Sequence, residues 1–437
     1  MIAREADLLV VTGARVVDPA HGLDAELDVV IERGIISRVG KDAATRELRE
    51  STRAEVIDGR GKILVPAFVD LHAHLREPGE EYKEDIESGL RAAARGGFAH
   101  VCAMPNTRPV NDKRSITEAI KQRSREVGGP ALHPIGAITV GQLGKELTEV
   151  ADLREAGAVA ISDDGRCVMN AAIMRRALQY AETFDIPVIQ HAEDHDLTEG
   201  ADMHEGRVST ALGLRGWPAV AEDIIVARDC LLAEATRARY HVAHVSTRGS
   251  VRILREAKTR GIRATAEVTP HHLLLTHESV IGYQTACKVN PPLREPEDVG
   301  ALVEALADGT IDAIATDHAP HSSLEKDCEF SEAKPGLIGL EFAMSLLFAF
   351  SRSGRVPLRR LVDALSTAPA KIIGLTPPAI TTGRVAELTL FDPERPFLID
   401  NLASKSRNTP FLGRTLTGRI LLTLAGGKIV HSLDCPD

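Results

Sequence analysis

Residues 63–77 read ILVPAFVDLHAHLRE, an apolar run that ends in two histidines and an arginine. If this run is a β-strand, His72 and His74 project from the same face, because alternate side chains of a strand point the same way. Two imidazoles placed in this way can bind one metal ion, and Arg76 continues the same face. A metal-activated water beside a guanidinium group suits a hydrolase that acts on a negatively charged substrate.

A His-x-His pair is weak support by itself, since 16 histidines in 437 residues produce roughly 0.6 such pairs by chance. Stronger support comes from further polar residues, each of which follows an apolar run. These residues are Asn106, Asp163, Asp164, His191, His244, His271, His272, Asp317, His318 and His321. Because the active site of a parallel barrel lies at the carboxyl ends of its strands, the pattern predicts one shared site.

The middle of the chain alternates short apolar or β-branched runs with helical patterns, which is typical of parallel βαβ units. The runs cover residues 63–74, 99–107, 132–140, 158–165, 187–194, 240–246, 263–272 and 312–321. Helical patterns at 80–95, 171–183 and 218–238 fall between them. Eight consecutive units favour an α/β fold with a (β/α)8 TIM barrel over the alternative, a doubly wound open sheet.

Both ends of the chain differ from the middle, because they alternate short β-rich runs with Gly and Asp turns. We therefore expect the N- and C-terminal segments to form one small β-sandwich domain together. The predicted division is 1–64 and 376–437 for the two parts of this domain and 65–375 for a metal-dependent hydrolase barrel.

Composition narrows the classes of partner. Hydrophobic residues make up 43% and charged residues 26% of the chain, as in ordinary globular proteins. The net charge of -10 argues against nucleic acid and against an anionic membrane. No apolar run approaches the roughly 20 residues of a membrane span, and the N-terminus lacks signal-peptide features, so we expect a cytoplasmic protein. The six cysteines include no C-x-x-C pair, and no thiolate zinc site is predicted.

Four histidines and two aspartates can converge at the predicted barrel mouth: His72, His74, His191, His244, Asp164 and Asp317. Imidazole and carboxylate ligands without thiolate suit zinc, with manganese, cobalt and iron as alternatives. Six ligands exceed the three protein ligands of a single catalytic zinc. Two adjacent metal ions that share a bridging hydroxide would use all six.

Each residue also has an ordinary interpretation. Asp163 and Asp164 could shape a turn, and Asp317 could cap a helix. Asn106 and Asn290 are flanked by proline, so a turn is as good an interpretation as a ligand role. A second group is expected to be structural: His271 and His272 as supporting residues, and Lys83, Glu84 and Asp85 as part of a solvated helix face.

Nine motifs follow one another from Asp70 to Glu341. They read DLHAHLREPGEEYKEDI, MPNTRPV, SDDG, HAED, HVS, TPHH, KVNPPLR, TDHAPH and PGLIGLE. In these motifs the chain resembles the bacterial type I dihydroorotases, which belong to the amidohydrolase superfamily of metal-dependent barrel hydrolases. The terminal segments are also similar to the composite sheet domain of that superfamily, so the resemblance covers essentially the whole chain.

The resemblance implies a role for each matching residue. His72, His74 and Asp317 would bind a first zinc ion and His191 and His244 a second, with Asp164, or else Asp163, as the bridging carboxylate. The implied substrate contacts are Arg76, Asn106, Asn290, His321, Pro335 and Gly336. Residues 322–334 would form a mobile loop over the site. Asp317 would also be catalytic, taking a proton from the attacking water and delivering it to the leaving nitrogen.

The implied reaction is the reversible, zinc-dependent interconversion of dihydroorotate and N-carbamoyl-L-aspartate, a step of pyrimidine synthesis. The implied assembly is a homo-oligomer, specifically a dimer, with aspartate carbamoyltransferase as a candidate partner. Two rivals remain. One is another cyclic amidase, an allantoinase or hydantoinase, although those enzymes usually carry a bridging lysine where this chain has SDDG. The other is a non-catalytic subunit that supports aspartate carbamoyltransferase, which we would expect to have lost metal ligands.

Overall fold

The computed structural model describes residues 3–433. Its strands are β1 (Leu8–Asp18), β2 (Leu23–Glu32), β3 (Ile35–Gly40), β4 (Ala54–Asp58), β5 (Ile63–Pro66), β6 (Phe68–Ala73), β7 (Phe98–Ala103), β8 (Ala131–Gly136), β9 (Ala160–Ser162), β10 (Val188–Gln190), β11 (Met203–His204), β12 (Gly216–Trp217), β13 (Tyr240–Val242), β14 (Ala264–Val268), β15 (Ala313–Ile314), β16 (Leu388–Leu398), β17 (Thr415–Ala425) and β18 (Lys428–Ser432).

The α-helices are α1 (Arg46–Arg49), α2 (Ile86–Arg95), α3 (Arg114–Val127), α4 (Val150–Ala156), α5 (Ala171–Thr183), α6 (His195–Thr198), α7 (Arg207–Leu212), α8 (Val220–Thr236), α9 (Arg248–Thr259), α10 (Pro270–Leu274), α11 (Pro296–Asp308), α12 (Ser323–Lys326), α13 (Ala343–Arg352), α14 (Leu358–Val362) and α15 (Ala368–Ile372). Helix α5 matches its predicted range, and α8 is two residues shorter at each end than predicted. No helix among residues 3–433 is long and apolar enough to cross a membrane.

Eight strands form the predicted parallel barrel, in the order β6–β7–β8–β9–β10–β13–β14–β15. Each of the eight predicted runs supplies one of these strands. The sheet closes just beyond β15, where Ala73 forms a parallel bridge with His318 and the His74 main-chain N–H donates to the His318 carbonyl over 2.8 Å. The fold class is therefore confirmed, and the strands present their carboxyl ends at one mouth.

Strands from both ends of the chain form a second, mixed sheet in the order β18–β17–β16–β5–β1–β2–β3, with β4 also paired to β1. Strand β1 branches this sheet, since its first half pairs with β4 and its second half with β5. The predicted run at 63–74 is thus two strands. Its first part, β5, belongs to the terminal sheet. After Ala67, its second part, β6, is the first strand of the barrel.

The predicted solvated helix face at residues 83–85 is wrong. Helix α2 begins only at Ile86, with Asp85 as its N-cap, and the Glu84 side chain is fully buried. Its carboxylate accepts hydrogen bonds from Ser404 Oγ and from the Lys405 main chain, 320 residues away, and lies 3.2 Å from His318 Nε2. A helical pattern could not reveal this burial, because the C-terminal segment that covers Glu84 is distant in sequence.

We expect Glu84→Ala to lower the free energy of unfolding by about 3 kcal/mol, because it leaves several buried donors without an acceptor. The matched control is Glu87→Ala on α2, where the exposed ion pair with Arg91 contributes less than about 1 kcal/mol. Urea titrations of both variants measure the difference. Equal unfolding midpoints for the two variants would contradict the role of Glu84.

Candidate metal and substrate site

A cavity of about 200 Å³ opens at the carboxyl ends of the barrel strands. Its lining comprises His74, Arg76, Asn106, Asp164, Gly165, His191, His244, Asn290, Asp317, Ala319, His321, Pro335 and Gly336. Eleven of the twelve residues predicted for the site are among them. The twelfth, His72, is fully buried beside the others, 3.2 Å from the Asp164 carboxylate. Residues more than 260 positions apart in the sequence thus converge on one small cavity.

The Asp164 carboxylate lies among four imidazole rings. Its Oδ1 is 3.2 Å from His72 Nε2, 3.6 Å from His244 Nε2 and 3.7 Å from His191 Nδ1, and its Oδ2 is 3.5 Å from His74 Nε2. The two facing nitrogens of His191 and His244 are 2.9 Å apart. This arrangement directs several lone pairs at one small volume, as ligands of a shared cation must.

Asp317 faces the same volume from the end of the last barrel strand. Its Oδ1 is 3.2 Å from His74 Nε2 and 3.6 Å from His72 Nε2. On its other side, the His74 ring contacts the amide oxygen of Asn106 through Nδ1, at 2.9 Å. Asn106 therefore fixes the orientation of a candidate ligand while its amide group faces the cavity.

The neighbouring Asp163 has a different environment from Asp164. Its Oδ1 accepts main-chain hydrogen bonds from Ile138 at 2.8 Å and Thr139 at 3.0 Å, and its Oδ2 accepts one from the Thr139 hydroxyl. These hydrogen bonds use both oxygens of the Asp163 carboxylate and join the end of β9 to the segment that follows β8. Of the two aspartates, only Asp164 faces the histidines.

Two buried glutamates that the sequence reasoning missed support the rings from outside. Glu267 lies 2.8 Å from His72 Nδ1 and 3.1 Å from His241 Nε2, and Glu193 lies 2.9 Å from His191 Nε2. Burial raises the pKa of Glu267, but hydrogen bonds from His241 and His72 outweigh it and hold the pKa at about 2. A carboxylate behind a ring fixes its tautomer and leaves the opposite nitrogen free for a metal ion.

The residues present fit a bound cation. His72 Nε2 and Asp164 Oδ1 are buried and have no hydrogen-bond partner among the described residues. Burial alone would lower the pKa of His72, yet Asp164 and Asp317 raise it well above its ordinary value. For the Asp164 carboxyl the directions are reversed. Burial alone would raise its pKa, but His72 and His244 bring the pKa well below its ordinary value. Positive charge among these carboxylates is therefore favourable, and the donor set of nitrogen and oxygen suits a transition metal.

The lining of the cavity also includes a buried cation. Arg76 donates through Nε to the Pro320 carbonyl at 3.2 Å, and its Nη2 is 3.5 Å from His321 Nε2. The same His321 nitrogen is 2.9 Å from the Pro335 carbonyl. The side-chain amide of Asn290, a candidate substrate contact, donates a hydrogen bond to the Glu193 carboxylate at 3.3 Å. The same carboxylate contacts the His191 ring, so Asn290 and His191 share one partner.

Three site residues adopt left-handed backbone conformations, namely Arg76 at φ 61°, His244 at φ 32° and Asp317 at φ 45°. Residues other than glycine rarely adopt this region, and such strain persists where the surrounding structure enforces it. At each of the three residues, the left-handed conformation changes the direction of the backbone, and so of the side chain, shortly after the strand ends. Sequence patterns carry no signal for it, since none of the three is a glycine.

A further histidine–glutamate group lies away from the mouth, formed by His204, His277 and Glu295. Here Arg294 donates to His204 Nδ1 at 3.2 Å. The neutral ring therefore carries its own proton on Nε2, the atom that faces Glu295 at 4.0 Å. Both the proton and the adjacent guanidinium oppose a metal ion at this position.

Comparisons with known proteins agree with this geometry. A family model described as "Dihydro-orotase-like" matches residues 61–250. A dihydroorotase of Anaeromyxobacter dehalogenans is 51% identical, with 99% of this chain and 100% of the relative covered. A dihydroorotase of Pelobacter propionicus is 49% identical, with 97% and 99% covered.

Solved structures resemble the fold as a whole. An L-hydantoinase from Arthrobacter aurescens superposes with a TM-score of 0.86 at 22% identity, over 97% of this chain and 96% of that one. A dihydropyrimidinase from Brevibacillus agri gives a TM-score of 0.82 at 23% identity, over 97% and 95%. A closed parallel barrel with histidine and aspartate metal-ligand candidates at its mouth, joined to a sheet from both termini, defines an enzyme of the amidohydrolase class. Within that class, the chain belongs to the dihydroorotase family.

We expect Glu267→Gln to weaken metal binding about 10- to 100-fold, because the neutral amide no longer fixes and polarises the His72 ring. Titration with a competing chelator measures the affinity directly, without reference to turnover. Glu256→Gln, on the exposed face of α9, is the control and should bind metal as the wild type does. Unchanged affinity in Glu267→Gln would show that the carboxylate does not support His72.

Proposed function

We propose that this chain interconverts dihydroorotate and N-carbamoyl-L-aspartate, as a dihydroorotase of pyrimidine synthesis. The observation that carries the proposal is that five metal-ligand candidates and a buried arginine line one cavity of about 200 Å³, with the sixth candidate, His72, directly behind Asp164. The ligands suit hydrolysis of an amide, and the arginine suits a carboxylate on the substrate. Relatives named dihydroorotase at about 50% identity over the full length support the same reaction.

We propose that the cavity holds two zinc ions, one bound by His72, His74 and Asp317 and one by His191 and His244, with Asp164 between them. The compact group of His72, His74 and Asp317 supports the first of these sites, and a second compact group, His72, Asp164 and His244, contains one of the two histidines of the other. When bound, such ions would lower the pKa of a water molecule and would act as Lewis acids toward the amide carbonyl. The Glu267 and Glu193 carboxylates hold the His72 and His191 rings in place through the ring nitrogens that face away from the cavity.

The chain's own residues then bind and orient the substrate. Arg76 pairs with the substrate carboxylate, because burial beside Pro320 and His321 holds its guanidinium in place. Asn106, Asn290 and His321 face the ring, and the main chain of Pro335 and Gly336 closes that side of the cavity.

Residues 322–334 are proposed as a loop that covers the bound substrate and excludes water. They contain α12, and Lys326 Nζ donates to the carbonyls of Thr285 at 3.0 Å and Lys288 at 3.2 Å. Glu325 lies 2.9 Å from Lys83, which ties the loop to the segment before α2.

Asp317 is the proposed proton carrier. Burial raises its pKa, but His72 and the hydrogen bond with His74 outweigh burial and hold the pKa below its ordinary range. Its carboxylate is therefore ionised and can accept the proton of the attacking water. The same carboxylate then delivers this proton to the ring nitrogen as the amide bond breaks.

The two rivals are less well supported. The hydantoinases and the dihydropyrimidinase resemble the chain at under 25% identity, a likeness that concerns the fold alone. A non-catalytic subunit would have lost ligands, whereas all six candidates lie within the site. We further propose a cytoplasmic homodimer, aspartate carbamoyltransferase as a candidate partner, and domain limits at 1–64, 65–375 and 376–437.

The test of this function is turnover of dihydroorotate, hydantoin and allantoin by metal-quantified protein. We expect kcat/KM for dihydroorotate to exceed the other two at least about 100-fold, because only dihydroorotate presents a carboxylate to Arg76. Arg76→Ala should reduce this preference mainly through KM. Equal rates on the three substrates would refute the assignment.

We expect Asp317→Asn to lower kcat per bound metal by about 10² to 10⁴, because an amide cannot accept and return the proton. Asp312→Asn is the matched control at the opposite end of β15, where the carboxylate pairs with Lys258, and its kcat should remain within about threefold. Steady-state assays with metal analysis distinguish proton transfer from metal loss. A fully active Asp317→Asn enzyme would rule out the shuttle.

A further inference from the structure

Asn408 lies between β16 and β17, in a segment that neither the barrel pattern nor the site motifs include. Its side chain is buried, and its amide group is fully hydrogen-bonded to main chain. Nδ2 donates to the carbonyls of Ala319 at 2.9 Å and Gly336 at 3.1 Å, and Oδ1 accepts from the His321 N–H at 3.1 Å. The Asn408 carbonyl also accepts from the Ile338 N–H at 3.1 Å.

The three residues bonded to this side chain all line the cavity, whereas Asn408 does not. Ala319 and His321 belong to the segment that follows β15, and Gly336 belongs to the return of the loop at 322–334. Asn408 therefore contacts both segments of one cavity wall from behind. The side chains of Arg76 and His321 lie on the cavity side of the same wall.

The two segments are also joined to each other directly. They share a bridge between His318 and Leu337, hydrogen bonds from Ala319 N to Leu337 O at 2.8 Å and from Gly339 N to His318 Nδ1 at 3.2 Å, and the contact of His321 Nε2 with the Pro335 carbonyl at 2.9 Å. They also approach very closely, since a Cβ on Gly336 would lie 2.7 Å from the Ala319 Cβ. An asparagine supplies two donors and an acceptor at one point, which matches two carbonyls and one N–H.

We propose that Asn408 is a positioning residue for substrate binding, whose amide holds the wall formed by Ala319, His321 and Gly336 in the shape that receives the substrate. This inference rests on the proposed function, because it assigns that wall to the substrate's carboxylate and ring. The hydrogen bonds of Asn408 go to none of the metal-ligand candidates, and Asn408 does not line the cavity, so its loss affects binding more than the chemical step.

The experiment compares the wild type with Asn408→Ala, Asn408→Asp and the control Asn401→Ala, an exposed asparagine of the same segment. Assays give kcat and KM for dihydroorotate, and metal analysis gives the ions bound per chain. We expect Asn408→Ala to raise KM about tenfold or more, with kcat within about threefold and the metal content unchanged. Asn408→Asp keeps the volume but turns a carboxylate toward two carbonyls, and it should raise KM at least as much.

Hydrogen exchange gives a readout that does not depend on turnover. The main-chain amides of His321 and Ile338 should exchange faster in both Asn408 variants than in the wild type or in Asn401→Ala. If Asn408→Ala is not recovered as folded protein, Asn408→Asp decides the question.

Two outcomes would overturn the inference. One is a KM in the folded Asn408 variants that stays within twofold of the Asn401→Ala value. The other is a parallel fall of kcat and metal content, which would mark a general structural role. A wild type that does not turn over dihydroorotate would refute the proposed function separately, and unchanged exchange at His321 and Ile338 would then refute the positioning role itself.

Discussion

Asp164 is an anion buried among four imidazole rings, and a second carboxylate, Asp317, shares two of those rings. Burial of unpaired charge is costly, so such a cluster is stable only if positive charge enters it. The residues around the cluster leave room for such a positive charge. Glu267 and Glu193 hold the outer nitrogens of two rings, and the inner nitrogens remain directed at one volume. A metal ion is the charge that these directions fit best.

A parallel barrel meets this requirement because its strands end together. The candidate ligands occur within or up to three residues after the strands β6, β9, β10, β13 and β15, so they come together although they are far apart in the sequence. Backbone turns with positive φ at His244 and Asp317 then aim the side chains inward. The barrel supplies the common mouth, and these turns supply the final orientation.

The sequence predicted most of this arrangement, because both repeating strands and strand-end ligands leave a local pattern. All eight barrel strands and the convergence of the candidate residues could be predicted in this way. The choice between Asp163 and Asp164 could not, since it depends on which carboxylate the main chain of Thr139 occupies. Glu267 was missed because it is one polar residue within an apolar strand. Glu84 and Asn408 were missed because their partners lie more than 70 residues away.

The terminal sheet has a consequence for the order in which the protein is made. Strand β5 leads directly into the first barrel strand, but its antiparallel partner β16 is synthesised more than 320 residues later. Asn408 and Ser404, which support the barrel mouth from behind, follow β16. A nascent chain that has completed all eight barrel strands therefore still has an open sheet edge and an unsupported mouth. Formation of a finished site is consequently coupled to synthesis of the chain as far as Asn408.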